Sequence, residues 1–424
     1  MFISTKNITP TVSKKMTNEN ITLFLPTNGT IAHPEVTLLI PAMNEEITIG
    51  EFVEWCKQGL EQADVKGQIL IVDSSSDKTK DIALQHGAEV LAVPPKGLGQ
   101  AYIDAIPYVR GKFVIMGDAD LTYNMRQIKP FMKKFEEGYE FIMGSRFKGK
   151  IEPGAMPALH RYFGTPVTTW ILNRVYKCHF SDIHCGMRGI TLDALKRIKL
   201  QSQSWQYASE MIIKAIHLNL KSTEVPVVFH KDKLGRISHH KRIGWFAPWL
   251  AGWINLKAIL TFGADFFLYK TGIVMTLLGL LGTILLSNGP IKIGKIGFQL
   301  HWMLFFLIIL IAGLQFFCMG VLAKTLYDVE MKRSTKWKKI FSLNVAFPLA
   351  CLYIVLGMIG ITPLLIEYIN LDFRLPTIIS AASYHAVGGL GLVLVGIIYF
   401  TSALLFNATL LSHSQHLLAH EQSR

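Results

Sequence analysis

The 424-residue chain has only five cysteines, and no two of them stand at Cys-x-x-Cys spacing. Structural zinc sites need closely spaced ligands, and disulfide frameworks need many paired cysteines, so neither is indicated. We expect reduced thiols that take no part in function, two of them inside long apolar runs. The five are Cys56, Cys178, Cys185, Cys318 and Cys351.

The first 33 residues lack sustained hydrophobic periodicity, and no repeat at a solenoid period follows them. Their apolar stretch at 21–25 is shorter than the core of a secretion signal, which is about 7–15 residues long. The sequence therefore predicts a flexible leader over 1–33 and a following polar half that stays in the cytoplasm.

Acidic residues are in the minority, with 30 Asp and Glu against 43 Lys and Arg and a net charge of +13. No basic-aromatic recognition motif accompanies this charge, so nucleic acid is not an expected partner. Much of the charge flanks apolar runs. Anionic lipid head groups and phosphate-bearing substrates explain it better.

Half of the residues are hydrophobic, and the mean hydropathy of +0.33 is high for a soluble protein. Four apolar runs, at about 266–287, 299–323, 345–368 and 382–411, are each long enough to cross roughly 30 Å of hydrocarbon. We predict a multi-pass membrane protein with a transmembrane domain over 266–411 and a tail at 412–424.

Basic residues concentrate between the second and third of these runs. By the positive-inside tendency, this loop, the catalytic domain and both termini face the cytoplasm, at the cell membrane or at the endoplasmic reticulum of a eukaryote. The residues are Lys324, Lys332, Arg333, Lys336, Lys338 and Lys339.

Three tryptophans lie in the stretch 243–257, just before the first apolar run. Such rings prefer the bilayer interface, so 241–265 is expected to be an amphipathic segment on the membrane surface. A helix in the core of the catalytic domain remains the alternative. Glycine clusters in the apolar runs indicate close helix packing; they are Gly279 with Gly282, and Gly388, Gly389 and Gly391.

The polar half, 34–240, carries four short β-rich runs with helical stretches between them, the pattern of a parallel α/β sheet. The runs are 36–40, 68–72, 89–93 and 112–116. Polar residues follow three of them, at the carboxyl edge where open α/β folds bind ligands.

These polar residues are Asn44 and Glu45 after the first run, Asp73 and Asp77 after the second, and the Asp118-Ala119-Asp120 triplet after the fourth. Asn44 and Asp77 can also be explained as caps of the following helices, and we adopt that interpretation for Asp77.

Two carboxylates one residue apart can hold a divalent cation against a diphosphate. Hard oxygen ligands favour Mg²⁺ or Mn²⁺, so Asp118 and Asp120 are the predicted metal ligands. The turn at 96–99, Lys-Gly-Leu-Gly, is either a phosphate-binding loop or a simple turn before a helix.

An ordered set of motifs relates the chain to a known family. The set comprises Pro41-x-x-Asn44-Glu45, Val72-Asp73, Lys96-Gly97-Leu98-Gly99, Asp118-x-Asp120, Gly144-Ser145-Arg146, Asp182-x-x-Cys185-Gly186-x-Arg188 and Glu210. Through it, residues 36–255 resemble the family 2 glycosyltransferases of the GT-A fold. Within that family the chain is similar to the polyprenyl-phosphate sugar transferases, such as dolichol-phosphate mannose and glucose synthases.

The resemblance implies roles for individual residues. Asp120 and Asp182 would be catalytic, with Asp182 orienting or deprotonating the acceptor, whereas His184 and Cys185 are expected to be structural. The nucleotide site would comprise Pro41, Glu45, Asp73, Lys96, Gly97, Gly99, Asp118 and Ala119. The lipid-phosphate site would comprise Arg146, Arg161, Thr165 and Arg236.

Two positions depart from the family pattern. Ser74 stands where many members carry a second acidic residue, which leaves UDP and GDP both open as the nucleotide. His239 and His240 follow Ser238 where relatives carry a lysine, so a titratable group replaces a fixed charge.

The resemblance implies transfer of one hexose, mannose or glucose, from a nucleotide sugar to polyprenyl or dolichyl phosphate with inversion. The product would serve protein or cell-envelope glycosylation, and the sequence is compatible with a homo-oligomer. One alternative is a processive polysaccharide synthase, which typically carries a Gln-x-x-Arg-Trp motif that this chain lacks. The other is a non-enzymatic membrane scaffold with a degenerate transferase domain.

Overall fold

The structure is a computed structural model that describes residues 20–176, 178–233, 263–326, 334–374 and 379–422, with isolated positions between 253 and 261. The chain divides into two compact units, 1–262 and 263–424. Each unit has its own architecture.

The first unit contains an eight-stranded mixed sheet. Its strands are β1 (Thr22–Phe24), β2 (Val36–Ala42), β3 (Gly67–Asp73), β4 (Glu89–Ala92), β5 (Phe113–Met116), β6 (Phe141–Ile151), β7 (Arg188–Thr191) and β8 (Ser222–Phe229). They lie side by side in the order β1-β4-β3-β2-β5-β7-β6-β8. The neighbours β4, β3, β2 and β5 run parallel, whereas β7 is antiparallel to both β5 and β6.

Among the described residues, seven helices connect or flank these strands. They are α1 (Ile49–Ala63), α2 (Thr79–Gln85), α3 (Leu98–Ala105), α4 (Lys129–Glu136), α5 (Thr165–Tyr176), α6 (Leu192–Ile198) and α7 (Tyr207–His217). Shorter helical turns cover Ile106–Tyr108, Met125–Gln127 and His160–Gly164.

The core of this unit is built on the parallel strands. Leu38, Leu39 and Ile40 of β2 and Leu70 and Ile71 of β3 have no exposed surface. Consecutive buried residues are expected where helices cover both faces of a parallel sheet. The four predicted strands are therefore confirmed, each within two residues of its expected bounds.

The structure differs from the predicted leader at its end. Residues Thr22–Phe24, which fall inside the expected 1–33 leader, form β1 and pair antiparallel with β4. The pairing covers the edge of β4, whose backbone groups would otherwise lack partners in the sheet.

The second unit is helical. It contains α8 (Ala264–Leu286), a hairpin of β9 (Ile291–Ile293) and β10 (Ile296–Phe298), α9 (Leu300–Leu326), α10 (Ser334–Ile340), α11 (Leu343–Asn370) and α12 (Ala381–Gln422). By length and composition, α8, α9, α11 and the Ala381–Leu411 part of α12 can cross a membrane. This confirms the four predicted spans and indicates a membrane protein.

Glycines set the distance between α8 and α9. A Cβ atom at Gly279 would lie 2.3 Å from the backbone nitrogen of Leu310, and one at Gly313 would lie 2.4 Å from that of Thr276. Without a side chain the two backbones can approach closely, as is common between membrane helices. The predicted packing role of Gly279 is thereby confirmed.

The substitution Gly279→Ala tests this packing. The added methyl group meets the Leu310 backbone, so we expect a loss of about 1–3 kcal/mol, the usual result of overpacking, and a lower melting temperature in detergent. The matched control is Gly297→Ala, because a Cβ at Gly297 meets no atom within 4 Å. Equal melting temperatures for the two variants would contradict the packing role.

Candidate active site

The predicted nucleotide and acidic residues lie with Arg146 and Asp182 at one edge of the sheet. Ala42 of β2 pairs with Asp73 of β3, and Leu39 pairs with Met116 of β5, so the three parallel strands end side by side. Because β7 is antiparallel to β5 and to β6, the last buried part of β6 reaches this same edge. The turns after β2, β3 and β5 therefore lie at this edge together with Arg146, the last buried residue of β6. Open α/β folds bind ligands at such an edge.

Asn44 ties the turn after β2 to the turn after β3. Its backbone is in the left-handed region, with φ of 57°, and its nitrogen donates to Ser75 Oγ at 2.7 Å. Its side-chain Oδ1 accepts from the nitrogen of Ser76 at 3.0 Å. Asn44 thus joins two loops and does not cap α1, whose N-cap residue is Thr48.

Asp77 precedes Lys78, the N-cap residue of α2, and bonds the first residue of that helix, which agrees with the capping role that we assigned to it. Its Oδ1 accepts from the backbone nitrogen of Thr79, the first residue of α2, at 2.9 Å. The hydroxyl of Thr79 in turn accepts from the backbone nitrogen of Glu45 at 2.9 Å. Glu45 is only 6 % exposed, and its carboxylate accepts from Thr48 Oγ1 at 3.1 Å.

Asp73 is the second buried carboxylate of this region. It is 4 % exposed, and its Oδ1 accepts from Ser75 Oγ at 2.5 Å. Burial raises the pKa of Asp73 above its usual value, against the opposing effect of the Ser75 hydrogen bonds. Pro41, half-buried near the end of β2, lies opposite Val72 in the neighbouring strand.

The glycines of the 96–99 turn are required by close packing. Gly97 has φ of +112°, and a Cβ there would lie 2.5 Å from the carbonyl oxygen of Gln203. A Cβ at Gly99 would lie 2.0 Å from the carbonyl oxygen of Ser202. The turn does precede a helix, since α3 begins at Leu98, and Lys96 is exposed beside it.

The acidic triplet follows β5 in a tight turn. Asp118 and Asp120 are partly exposed and Ala119 is buried. Asp120 Oδ1 accepts from the nitrogen of Thr122 at 3.0 Å and from its hydroxyl at 2.5 Å. A Cβ at Gly186 would lie 2.3 Å from Asp118 Oδ2, so only a glycine lets the 182–188 segment lie against this carboxylate.

The two carboxylates can supply part of a metal site. Over the described ranges, no group of three or more His, Cys, Asp or Glu side chains could hold a metal ion. Mg²⁺ commonly takes one or two carboxylates and completes its shell with water and substrate phosphate oxygens. The pair is consistent with that arrangement.

Arg146 and Asp182 form a buried ion pair. The guanidinium Nε lies 2.6 Å from Asp182 Oδ2 and Nη2 lies 2.8 Å from Oδ1, while the backbone nitrogen of Arg146 donates to Oδ2 at 3.1 Å. Arg146 is 8 % exposed and Asp182 is fully buried. Burial alone would raise the pKa of Asp182, but the hydrogen bonds and the positive charge of Arg146 together outweigh it and lower that pKa. Asp182 is therefore ionised at neutral pH.

Sequence reasoning did not assign a role to Arg188, which organises the segment after Asp182. This arginine is 1 % exposed and donates to the carbonyl oxygens of Ile183 at 3.1 Å, Cys185 at 2.9 Å and Ala208 at 2.7 Å. The Asp182-x-x-Cys-Gly-x-Arg motif singles out Arg188 in the sequence, but it does not identify the carbonyl oxygens that this arginine contacts.

The helix after Gly164 is tied to the same segment. Thr168 Oγ1 lies 2.9 Å from His184 Nε2. Burial lowers the pKa of His184 to about 4, so this histidine is neutral near pH 7. Thr165, one turn before Thr168, is buried, and Arg161 lies over the Tyr162 ring at 5.5 Å in the preceding turn.

Some predicted residues are not placed. Arg236, Ser238, His239 and His240 lie outside the described residues, as does most of the 241–265 segment. The structure thus brings together the nucleotide and acidic residues with Arg146 and Asp182, and it links Thr165 and Arg161 to them through α5.

The buried charge of Asp73 leads to a stability prediction. Folding raises the pKa of this carboxyl, so the folded chain loses stability as pH rises through that pKa. Asp73→Asn keeps an acceptor oxygen and removes the charge. We expect its melting temperature at neutral pH to equal or exceed that of the unsubstituted chain, with the difference shrinking as pH falls.

The same variant should bind a nucleoside diphosphate more weakly, since it loses the carboxylate expected to contact base or ribose. Asp81→Asn, at an exposed position of α2, is the control and should change neither property. A lower melting temperature for Asp73→Asn at neutral pH would show that the ionised carboxyl stabilises the fold.

Comparison with known proteins places the chain in a family. The model of the family described as Glycosyl transferase family 2 matches residues 37–199. The chain is 32 % identical over 307 residues to the low-salt glycan biosynthesis hexosyltransferase Agl6 of Haloferax volcanii, an alignment that covers 72 % of each protein. It is 25 % identical over 197 residues to the dolichyl-phosphate hexose transferase of the same organism, covering 46 % of this chain and 83 % of that one.

Among solved structures, the chain is similar to glucosyl-3-phosphoglycerate synthase from Mycobacterium tuberculosis in complex with Mn²⁺, UDP-glucose and phosphoglyceric acid. The identity is 17 %, the TM-score is 0.42, and the match covers 55 % of this chain and 80 % of that one. From the family match and the extent of the Agl6 alignment, we conclude that the chain belongs to glycosyltransferase family 2, with a GT-A-like α/β unit followed by four candidate membrane helices.

Proposed function

We propose that this glycosyltransferase transfers a single hexose, glucose or mannose, from a UDP- or GDP-linked donor to polyprenyl or dolichyl phosphate. One observation carries the proposal. The segment that holds the Arg146–Asp182 ion pair passes Asp118 at Gly186, where no side chain would fit. An acidic pair suited to a metal–diphosphate complex and an arginine suited to a phosphate therefore share one edge.

The donor half would use the turns after β2, β3 and β5. Asp73 and Glu45 are buried carboxylates that can accept hydrogen bonds from a base or ribose, and Pro41 lies beside them. Asp118 and Asp120 would hold Mg²⁺ or Mn²⁺. That ion, when bound, neutralises charge that develops on the departing diphosphate.

The acceptor half would centre on Arg146. Asp182 engages Nε and Nη2 of this guanidinium, which carries five N–H donors in all, so the remaining edge is the one that would bind a phosphate oxygen. Arg161, Thr165 and Arg236 would complete the phosphate site.

The chemistry requires little proton transfer from the protein. A phosphate monoester has a second pKa of about 6, so its oxygen is already a nucleophile near neutral pH. This oxygen attacks the anomeric carbon as the carbon–oxygen bond to the diphosphate breaks, and the bonding electron pair leaves with the diphosphate. Direct displacement inverts the anomeric centre, so an α-linked donor gives a β-linked lipid phosphate.

Asp182 serves this reaction as a positioning residue in our proposal. Its carboxylate accepts from Arg146 three times and from the nitrogen of His184 at 3.2 Å, and its pKa is lowered. A carboxylate held in this way is a weak proton acceptor. It fixes the guanidinium for the incoming phosphate.

A lipid acceptor is supported by features outside the sheet edge. One relative carries the name dolichyl-phosphate hexose transferase, and four apolar helices follow the catalytic unit. Near Arg161 the side chains of Tyr162, Phe163 and Trp170 are 73 %, 63 % and 66 % exposed. Such a surface suits an acceptor at a membrane.

The product would be a lipid-linked sugar that donates its hexose to protein or cell-envelope glycosylation. We propose that the catalytic unit, the basic loop between the second and third spans and both termini face the cytoplasm. The Lys and Arg residues of that loop support this orientation.

A donor panel tests the proposal. The detergent-purified protein is incubated with polyprenyl phosphate, Mg²⁺ or Mn²⁺, and UDP- and GDP-linked glucose and mannose. Mass spectrometry should detect a lipid phosphate carrying one hexose with one preferred donor, and chelation of the metal should abolish it. Absence of a lipid product with every donor, despite nucleotide binding, would overturn the assigned acceptor.

Asp120→Asn tests the metal assignment. Removing one ligand forfeits several kcal/mol of charge stabilisation, so turnover should fall by about two orders of magnitude or more. Asp77→Asn is the matched control at the same edge, because an asparagine oxygen can still accept from Thr79, and it should stay within a few-fold. Full turnover by Asp120→Asn would show that this carboxylate is not a metal ligand.

A further inference from the structure

We propose that Glu210 is a positioning residue for the donor diphosphate, acting through the 201–204 segment on the Lys96–Gly99 turn. This inference rests on the proposed function, because it assumes that this turn binds the donor. Glu210 does not touch substrate in this account. It determines where the turn lies.

Both carboxylate oxygens of Glu210 accept hydrogen bonds from the backbone of that segment. The side chain is fully buried in the first turn of α7. Its Oε1 accepts from the nitrogen of Gln201 at 2.9 Å and its Oε2 from the nitrogen of Ser202 at 2.8 Å. Lys214, one helical turn later, forms an ion pair with Glu210 and donates to the carbonyl oxygen of Lys199 at 2.7 Å.

The next residues of the segment pack directly on the turn. The carbonyl oxygen of Gln203 accepts from the nitrogen of Gln100 at 3.0 Å. The Cβ positions of Gly97 and Gly99 would lie 2.5 Å from Gln203 O and 2.0 Å from Ser202 O. With no side chain between them, the two backbones are in contact, so any displacement of 202–203 displaces the turn.

The consequence for binding follows from the geometry that a diphosphate needs. A glycine-rich turn binds an anion by directing backbone N–H groups at it, and such contacts are lost over a fraction of an ångström. The N–H groups of Lys96 and Gln100 are engaged by the carbonyl oxygens of Pro94 and Gln203, so the amides of Gly97, Leu98 and Gly99 are the ones that would face the donor. Their direction depends on the segment that Glu210 holds.

The acceptor half has a separate support. Arg188 holds the start of α7 through the carbonyl oxygen of Ala208 and holds the Asp182 segment through Ile183 and Cys185. None of these contacts passes through the Glu210 carboxylate. Weakening the hydrogen bonds of Glu210 to Gln201 and Ser202 should therefore impair donor binding and leave the lipid-phosphate site unchanged.

The test is Glu210→Gln in the full-length protein in detergent. The amide keeps the size of the side chain, but its NH₂ group now opposes one of the two backbone N–H donors. We expect the KM for the nucleotide sugar, and the calorimetric Kd of UDP or GDP with Mg²⁺, to rise about tenfold, as for a lost charged hydrogen bond. The KM for polyprenyl phosphate should not change, and kcat at saturating donor should stay within a few-fold.

The matched control is Glu89→Gln. Glu89 is 5 % exposed, accepts from Gln68 Nε2 at 2.8 Å and pairs with Arg110, but it lies at the start of β4, away from the carboxyl edge. This variant should lower the melting temperature and leave the donor KM and nucleotide Kd unchanged. Hydrogen exchange adds a structural readout, since Glu210→Gln alone should speed exchange at residues 97–100.

The inference fails if Glu210→Gln behaves like Glu89→Gln, with a lower melting temperature and unchanged nucleotide Kd. It also fails if the lipid-phosphate KM rises in place of the donor KM, or if the unsubstituted chain binds neither nucleotide. Because the Kd is measured without acceptor, a chain that binds nucleotide but makes no lipid product would overturn the proposed function and still test Glu210.

Discussion

The buried ion pair between Arg146 and Asp182 is the contact on which the rest of the site depends, because it joins strand β6 to the segment that runs past the acidic pair. Burying two charges costs several kcal/mol each unless their hydrogen bonds are satisfied, and here Asp182 accepts from both the guanidinium and backbone nitrogens. The pair fastens the middle of β6, at its last buried residue, to the segment that leads into β7. That segment then runs past Asp118, so the position of the arginine relative to the acidic pair follows from one buried contact.

Close backbone approach is the second recurring constraint. Gly97, Gly99 and Gly186 all stand where a Cβ atom would collide with a carbonyl oxygen or a carboxylate. Gly97 and Gly99 let the turn after β4 lie against the backbone of residues 202–203, and Gly186 lets its own segment lie against Asp118 in the turn after β5. Residues of α7 contact both regions: Glu210 bonds the 201–202 backbone on the proposed donor side, and Arg188 bonds the carbonyl oxygen of Ala208 on the proposed acceptor side. Loops supported in this way can be ordered enough for chemistry while remaining at the surface.

The sequence predicts the parts of this arrangement that depend on local pattern. The parallel strands follow from β-branched runs, and the spans follow from apolar length. The placement of Asp73 and Asp118 at one edge of the sheet follows because parallel strands end there together. Partners distant in sequence were not predictable from such patterns. Arg146 and Asp182 are 36 residues apart, and their pairing depends on β6 and β7 being neighbours. The contact of the Gly97 turn with Gln203 and the addition of β1 to the sheet are likewise tertiary, and Arg236 lies outside the described residues.

The central claim is that a lipid phosphate oxygen attacks the sugar directly and that one hexose is transferred. Polyprenyl phosphate labelled with ¹⁸O on its phosphate, followed by mass spectrometry of the product, tests this most directly. The account predicts a lipid monophosphate with one hexosyl group, full retention of the label and release of an unlabelled nucleoside diphosphate. A lipid diphosphate, a product with several hexoses or a label that moves to the nucleotide would contradict it.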